Sequence, residues 1–311
     1  NILIHLINNN LTEIKRNFLN FNEELRIFES LNIEKIEDGF LKYNRQLTTF
    51  IAPKLKEIGP FSFEYNKDLK TFECSNIEKI GRSVLEFNEK LETFLAPNLK
   101  EVGGGFLARN KYLKIFECPN IEKIGKRVLK LNEKLETFIA PNLKEVDDSF
   151  LEYNKDLKNF ECPNIEKIGF LVLRFNEKLE NFIAPNLKKV GSNFLEGNTE
   201  LTTFIAPNLE LIGGESLGNN KKIKIFIAPE LKLVVKNAFR KNNYVKKVIR
   251  RNINKRKGIE NEKIKFFINP ILNIAGKYVF SKNEHVKKVI YNIEDMGKEM
   301  ENEKIVNTRN R

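Results

Sequence analysis

Asparagine recurs at Asn22, Asn44, Asn66, Asn88, Asn110, Asn132, Asn154, Asn176, Asn198, Asn220 and Asn242, always 22 residues apart. An unbroken period of this length predicts a solenoid in which each turn packs only on its neighbours. The core of such an array grows lengthwise, so 311 residues need not split into two globular domains. A charged fraction of 31% does not signal disorder here, because apolar residues recur in register with the asparagines. No apolar run is long enough for a membrane-spanning helix, and no leader pattern of basic, apolar and small residues is visible. The chain opens and closes inside repeats and reads as a segment of a longer or processed protein.

One turn, written from its asparagine, is Asn88, Leu91, Phe94, Ala96, Pro97, Leu99, Val102, Gly103, Phe106 and Leu107 with variable residues between. Phe94 and Ala96 are two apart and share one side of a short strand, which leaves residues 93 and 95 on the other. Pro97 ends that strand, since proline cannot donate to a ladder. The three-residue step from Leu99 to Val102 suits a bend or a 3₁₀-like segment, Gly103 frees the backbone for the next turn, and Phe106 and Leu107 form the opposite wall. The asparagine both donates and accepts, so stacked copies can bond turn backbones and each other.

A 44-residue period overlies the first. Turns from Asn66, Asn110 and Asn154 carry Cys74, Cys118 and Cys162 where those from Asn44, Asn88, Asn132 and Asn176 carry Ala52, Ala96, Ala140 and Ala184. Cysteines two turns apart are roughly 10 Å from each other, beyond disulfide reach. They are expected to be free thiols acting as small packing residues.

The run Leu47, Phe50, Ala52, Pro53, Leu55, Ile58, Gly59, Phe63 and Asn66 resembles the BspA-like, Treponema-type leucine-rich repeat. That resemblance covers residues 1–241. It departs in having Phe for the second Leu, Ala or Cys for the third, and 22 residues per turn where 23 is commoner. It implies a right-handed solenoid with short parallel strands on one face and 3₁₀ or irregular segments on the other. It also implies a non-enzymatic, adhesion-type module of a surface or secreted protein, although the residues themselves leave a cytoplasmic location open. Residues 242–311 are more degenerate but still repetitive: Val245-Lys246-Lys247-Val248-Ile249 matches Val286-Lys287-Lys288-Val289-Ile290. They are expected to continue the solenoid as basic, shorter turns.

Little in the chain suggests chemistry. Its two histidines, His5 and His285, are far apart, and no zinc spacing, phosphate loop or nucleophile elbow occurs. No catalysis, cofactor, metal or small-molecule substrate is therefore expected. The glycine runs at 103–105 and 213–214 fall at the repeat's own turn. Glu29, Glu73, Glu117 and Glu161, on the outward side of every second strand, are too far apart to share a calcium ion. Lys70, Glu92, Lys114, Glu136, Lys158 and Glu180 alternate in sign and predict cross-turn pairs.

Two surfaces stand out as candidates. In the slot held alternately by glutamate, Ile183, Ile205 and Ile227 follow one another without interruption, and Ile225 lies beside them. Such an exposed apolar ladder would suit a protein ligand on the strand face, though β-branched residues also simply suit strands. Residues 221–257 hold fourteen Lys or Arg against Glu230 alone, a net +13 in a chain of net +12. This concentration suits a polyanion such as a heparin-like glycan, nucleic acid or acidic membrane, with Lys246, Lys247, Arg250, Arg251, Lys255, Arg256 and Lys257 at its centre. The remaining possibility is a structural spacer with no ligand.

Overall fold

The computed structural model describes residues 4–242 and four short strands beyond them, Lys247–Arg250, Phe267–Asn269, Ile274–Ala275 and Lys288–Ile290. The chain divides into two compact units, Asn1–Leu179 and Glu180–Arg311.

In the first unit every turn contributes one three-residue and one two-residue strand. The three-residue strands form two four-stranded parallel sheets, His5–Ile7 to Thr71–Glu73 and Thr93–Leu95 to Asn159–Glu161. Their register is a strict 22-residue step, as in Phe94 opposite Phe116 and Phe116 opposite Phe138. The two-residue strands, Glu13–Ile14 through Lys167–Ile168, form a second parallel ladder with the same step. In the second unit Asn181–Ile183, Thr203–Ile205 and Ile225–Ile227 pair in parallel, as do Lys189–Val190, Leu211–Ile212 and Leu233–Val234. The predicted parallel solenoid of 22-residue turns is thus present, with no helix among the described residues. The expected continuation over 242–311 lies outside the described residues, apart from the four strands named.

One local expectation needs correction and another is narrowed. The step from Leu99 to Val102 is not a bend: Glu101 and Val102 form a strand, because alternation of a polar and an apolar residue suits a ladder whose neighbours sit above and below. The opposite wall takes the irregular form of the two expected, not the 3₁₀ one. It is a six-residue run of turns in which alternate residues have positive φ, as at Phe61 (62°), Phe63 (59°) and Tyr65 (61°). Left-handed backbone costs about 1–2 kcal/mol per non-glycine residue. Hydrogen bonds offset it, since the alternation turns successive N–H groups to opposite neighbours. Phe61 N–H donates forward to the Arg82 carbonyl, Phe63 N–H back to Phe40, and Tyr65 N–H forward to Glu86, at 2.8, 2.8 and 3.0 Å. Gly103 is needed for proximity rather than torsion. Its φ is not positive, but a Cβ there would stand 2.5 Å from the Arg82 nitrogen.

The core explains the 44-residue period. Phe28, Phe50, Phe72, Phe94, Phe116, Phe138 and Phe160 stack face on face, with centroids 5.0 to 6.2 Å apart. Behind them two buried slots covary. Turns with Cys74, Cys118 or Cys162 carry Val84, Val128 or Val172, and turns with Ala96, Ala140 or Ala184 carry Phe106, Phe150 or Phe194. In the turns from Asn66 to Asn176 a larger residue in one slot accompanies a smaller one in the other, which keeps interior volume similar from turn to turn. Outside that stretch Ala52, Ala206 and Ala228 go with Ser62, Ser216 and Ala238.

The asparagines are all buried from Asn44 to Asn242. The Oδ1 atoms of Asn66, Asn110, Asn132, Asn154 and Asn176 accept the main-chain N–H of the asparagine one turn back, as from Asn44 to Asn66 (2.7 Å) and Asn132 to Asn154 (2.9 Å), whereas those of Asn44, Asn88, Asn220 and Asn242 have no partner among the described residues. Each Nδ2 donates to a carbonyl 25 residues earlier, as from Asn132 to Leu107 and Asn154 to Leu129. The side chains therefore rivet turn to turn through the backbone, satisfying groups that the sharp turn would orphan.

Candidate binding surfaces

A three-residue strand buries its middle side chain and turns its first and third outward. In the second unit the third residues are Ile183, Ile205 and Ile227, and the register sets Ile183 beside Ile205 and Ile205 beside Ile227. Ile183 is 53% and Ile227 37% exposed, while Ile205, between them, is half-buried. Ile225, exposed at the head of the last strand, pairs with Thr203. The structure brings all four predicted residues onto one strand face.

The basic cluster divides differently. Lys246, Arg251, Lys255, Arg256 and Lys257 lie outside the described residues, and Lys247 and Arg250 are placed only as the ends of one strand. In the described part three cations have partners that a segment-by-segment count cannot see. Lys222 bonds Glu200 at 2.5 Å, Lys232 bonds Glu210 at 3.0 Å, and Arg240 lies 4.0 Å from Glu215. The acids come from the preceding turn, about 22 residues back. The field near 221–241 is therefore weaker than the sequence count of cations, while Lys221 and Lys224 stay exposed, Lys224 directly before Ile225.

Cross-turn pairing is general. In the predicted alternating slot, Lys114 meets Glu92 at 2.8 Å and Lys158 meets Glu136 at 3.6 Å. A second alternating slot escaped sequence reasoning. On the two-residue strands Glu13, Lys35, Glu57, Lys79, Glu101, Lys123, Glu145 and Lys167 follow one another in register. Its signal was present at the 22-residue spacing, but it was hidden because that segment was not read as a strand.

Cys74, Cys118 and Cys162 are buried and free, and burial pushes each thiol well above its ordinary range. A protonated, enclosed thiol is a packing residue rather than a nucleophile. Among the described residues no group of three His, Cys, Asp or Glu side chains is placed to hold a metal ion. His5 is exposed, and His285 lies outside the described residues.

The fold and its surfaces can now be set beside known proteins. None of the curated proteins compared matches the chain. Among solved structures it is similar to a leucine-rich repeat protein from Bacteroides ovatus ATCC 8483, with 15% identity over 86% of this chain and 88% of that one and a TM-score of 0.33. The family model for the BspA type leucine rich repeat region matches residues 3–114, 34–158, 90–202, 122–246 and 167–287, which together span nearly the whole sequence. The asparagine rivets, the paired strand ladders and this match make the chain a member of the BspA-type leucine-rich-repeat family.

Proposed function

We propose that the chain is a non-enzymatic protein-binding module of adhesion type, from a surface or secreted protein, and that its ligand docks on the strand face of the second unit. The observation that carries this reading is the exposed, in-register ladder of Ile183, Ile205 and Ile227, with Ile225 beside it. Solvent-facing apolar stacks of this kind are uncommon outside interaction surfaces. The fitting partner is a protein segment that presents apolar side chains flanked by acids, because exposed Lys224 directly precedes Ile225. Charge complementarity would set the orientation and approach rate, and burial of the isoleucines the affinity.

The test is a display library of random peptides selected on the wild-type chain. Enriched peptides should carry an apolar residue next to Asp or Glu. They should lose affinity for a variant with Ile183, Ile205 and Ile227 all changed to Ser, whose melting remains close to wild type. Peptides that bind the variant equally well would sink the assignment. Stronger retention on heparin than on a charge-matched sulfonate resin, abolished when Arg250, Arg251, Lys255, Arg256 and Lys257 are changed to Gln, would instead favour the polyanion reading.

A further inference from the structure

The first unit holds a feature that the repeat does not require. On the wall of turns, the turn that begins at Asn88 has no side chain beyond a methyl at three neighbouring positions that line a groove: the half-buried Gly104 and Gly105 and the buried Ala108. Other turns carry Arg82, Lys126 or Phe170 in the first of these slots and Glu64, Lys130 or Glu152 in the third. The backbone does not demand these glycines. Gly104 has no positive φ, and the left-handed conformation of Gly105 (75°) is adopted in the same slot by Ser83 (54°) and Arg127 (60°). What the three positions change is space. They open a groove of about 670 Å³, within the range of small-ligand sites, about 300–1,000 Å³.

The groove is lined by five cations from three successive turns, Arg82, Arg109, Lys126, Arg127 and Lys130, against Glu86 and Asp147. Lys126 is engaged by Asp148 at 3.1 Å, and Lys130 by Glu152 at 2.7 Å. Arg82, Arg109 and Arg127 have no carboxylate within 4.0 Å among the described residues, unlike Lys126 and Lys130 beside them. Two of these arginines are fixed in place. The Arg82 guanidinium lies 4.6 Å from the Phe61 ring centre and that of Arg109 4.8 Å from Phe87. Stacking of this kind holds the planar guanidinium while leaving its N–H edge able to bind an oxyanion. Glu86, half-buried at the base, has its carboxyl raised by burial and opposed by Arg109 and Arg127.

We propose that this groove binds a compact ligand carrying two or more phosphate or sulfate groups. Guanidinium is the side chain best matched to tetrahedral oxyanions, through paired, charge-assisted hydrogen bonds. Arg82 and Arg109 come from successive turns and stack on different rings, and Arg127 comes from a third turn, so the cationic edges are spread along the groove rather than gathered at one point. A ligand with several oxyanion groups on one small scaffold engages them together. It also enters where the missing side chains at 104, 105 and 108 leave room.

The experiment is calorimetric titration at constant ionic strength with four probes: inorganic phosphate, inositol hexakisphosphate, sucrose octasulfate and unsulfated sucrose. One or both polyvalent probes should bind at least about tenfold more tightly than inorganic phosphate, their ratio separates phosphate from sulfate preference, and sucrose should not bind. Ala108→Glu restores the acid that Glu64 and Glu152 carry in this slot, and it should lower affinity about tenfold or more. The double variant Arg109→Gln with Arg127→Gln alters only exposed side chains and should do the same, so the proposal stays testable even where Ala108→Glu disturbs folding. Lys144→Gln with Lys155→Gln, exposed side chains outside the groove, should change nothing. Polyvalent probes that bind no better than phosphate would overturn the proposal. So would equal losses in the groove and control variants, which would mark generic charge attraction.

Discussion

Taken separately, the two units share an interior and differ on their strand faces. In the first unit the third strand position alternates Glu29, Ile51, Glu73, Leu95, Glu117, Ile139 and Glu161, and the two-residue strands alternate glutamate and lysine throughout. In the second, the same positions read Ile183, Ile205, Ile227 and Lys189, Leu211, Leu233. The buried positions hardly change: Phe182, Phe204 and Phe226 stack at 5.4 and 4.9 Å, as their counterparts do in the first unit. Interior and surface therefore answer to different demands. The core is fixed by the need to fill volume turn after turn. The surface is free to keep alternating charges, which hold register and repel stray partners, or to drop them where an apolar face is useful.

If the interior is truly common to both units, Phe138→Ala and Phe204→Ala should each cost about 3–5 kcal/mol, both side chains being fully buried. Thermal or urea unfolding would show it, and a much smaller cost for one would break the equivalence. The rivets should sharpen the contrast. Asn110 accepts from the Asn88 N–H and donates to the Leu85 carbonyl, so Asn110→Ala should cost about 2–4 kcal/mol. Asn220 donates to the Leu195 carbonyl, but its Oδ1 has no partner, so Asn220→Ala should cost only about 1–2 kcal/mol. On the surface, Ile205→Glu recreates in the second unit the alternation of the first. It should shift stability by less than about 0.5 kcal/mol yet abolish binding of the selected peptides.

A further small effect is electrostatic. Asp156 sits between Lys178 at 2.8 Å and Lys134 at 3.0 Å, and their hydrogen bonds, that of Lys178 foremost, hold its carboxyl below the ordinary range. A lowered carboxyl stabilises the fold above its unfolded pKa of roughly 4, and that contribution fades as pH falls through the folded value. Asp156→Asn should cost about 0.5–1 kcal/mol at neutral pH. The gap from wild type should close in acid, as read by melting at a series of pH values.

Much of this was legible in the sequence because the period labels each position. Once Asn88 and Asn110 are aligned, the inward Phe94 and Ala96, the outward Leu95 and the pair Glu92–Lys114 follow from alternation along a strand. The second ladder was not legible: Glu101-Val102 is too short to show a period of its own. Nor were the left-handed torsions at Phe63 or Leu107, since nothing local distinguishes a phenylalanine or leucine held there by its neighbours' carbonyls. The partners of Lys222 and Lys232 were hidden for the same reason, because Glu200 and Glu210 are near neighbours only once the chain has wound. The arginine groove left one trace, the unbroken run of glycine at 103–105, which the turn explanation absorbed.

The covariation of Cys with Val and Ala with Phe bears on how such a chain changes length. Excising 44 residues within the alternating stretch rejoins a turn to one of the same kind as its former neighbour, and every asparagine meets the partner chemistry it had before. Excising 22 sets two turns of one kind together, with bulk facing bulk or gap facing gap. The lineage can add or lose stripes of this protein in pairs of turns at little structural risk, as a crystal grows by whole unit cells. Arrays of this type should accordingly differ among close relatives by even numbers of turns.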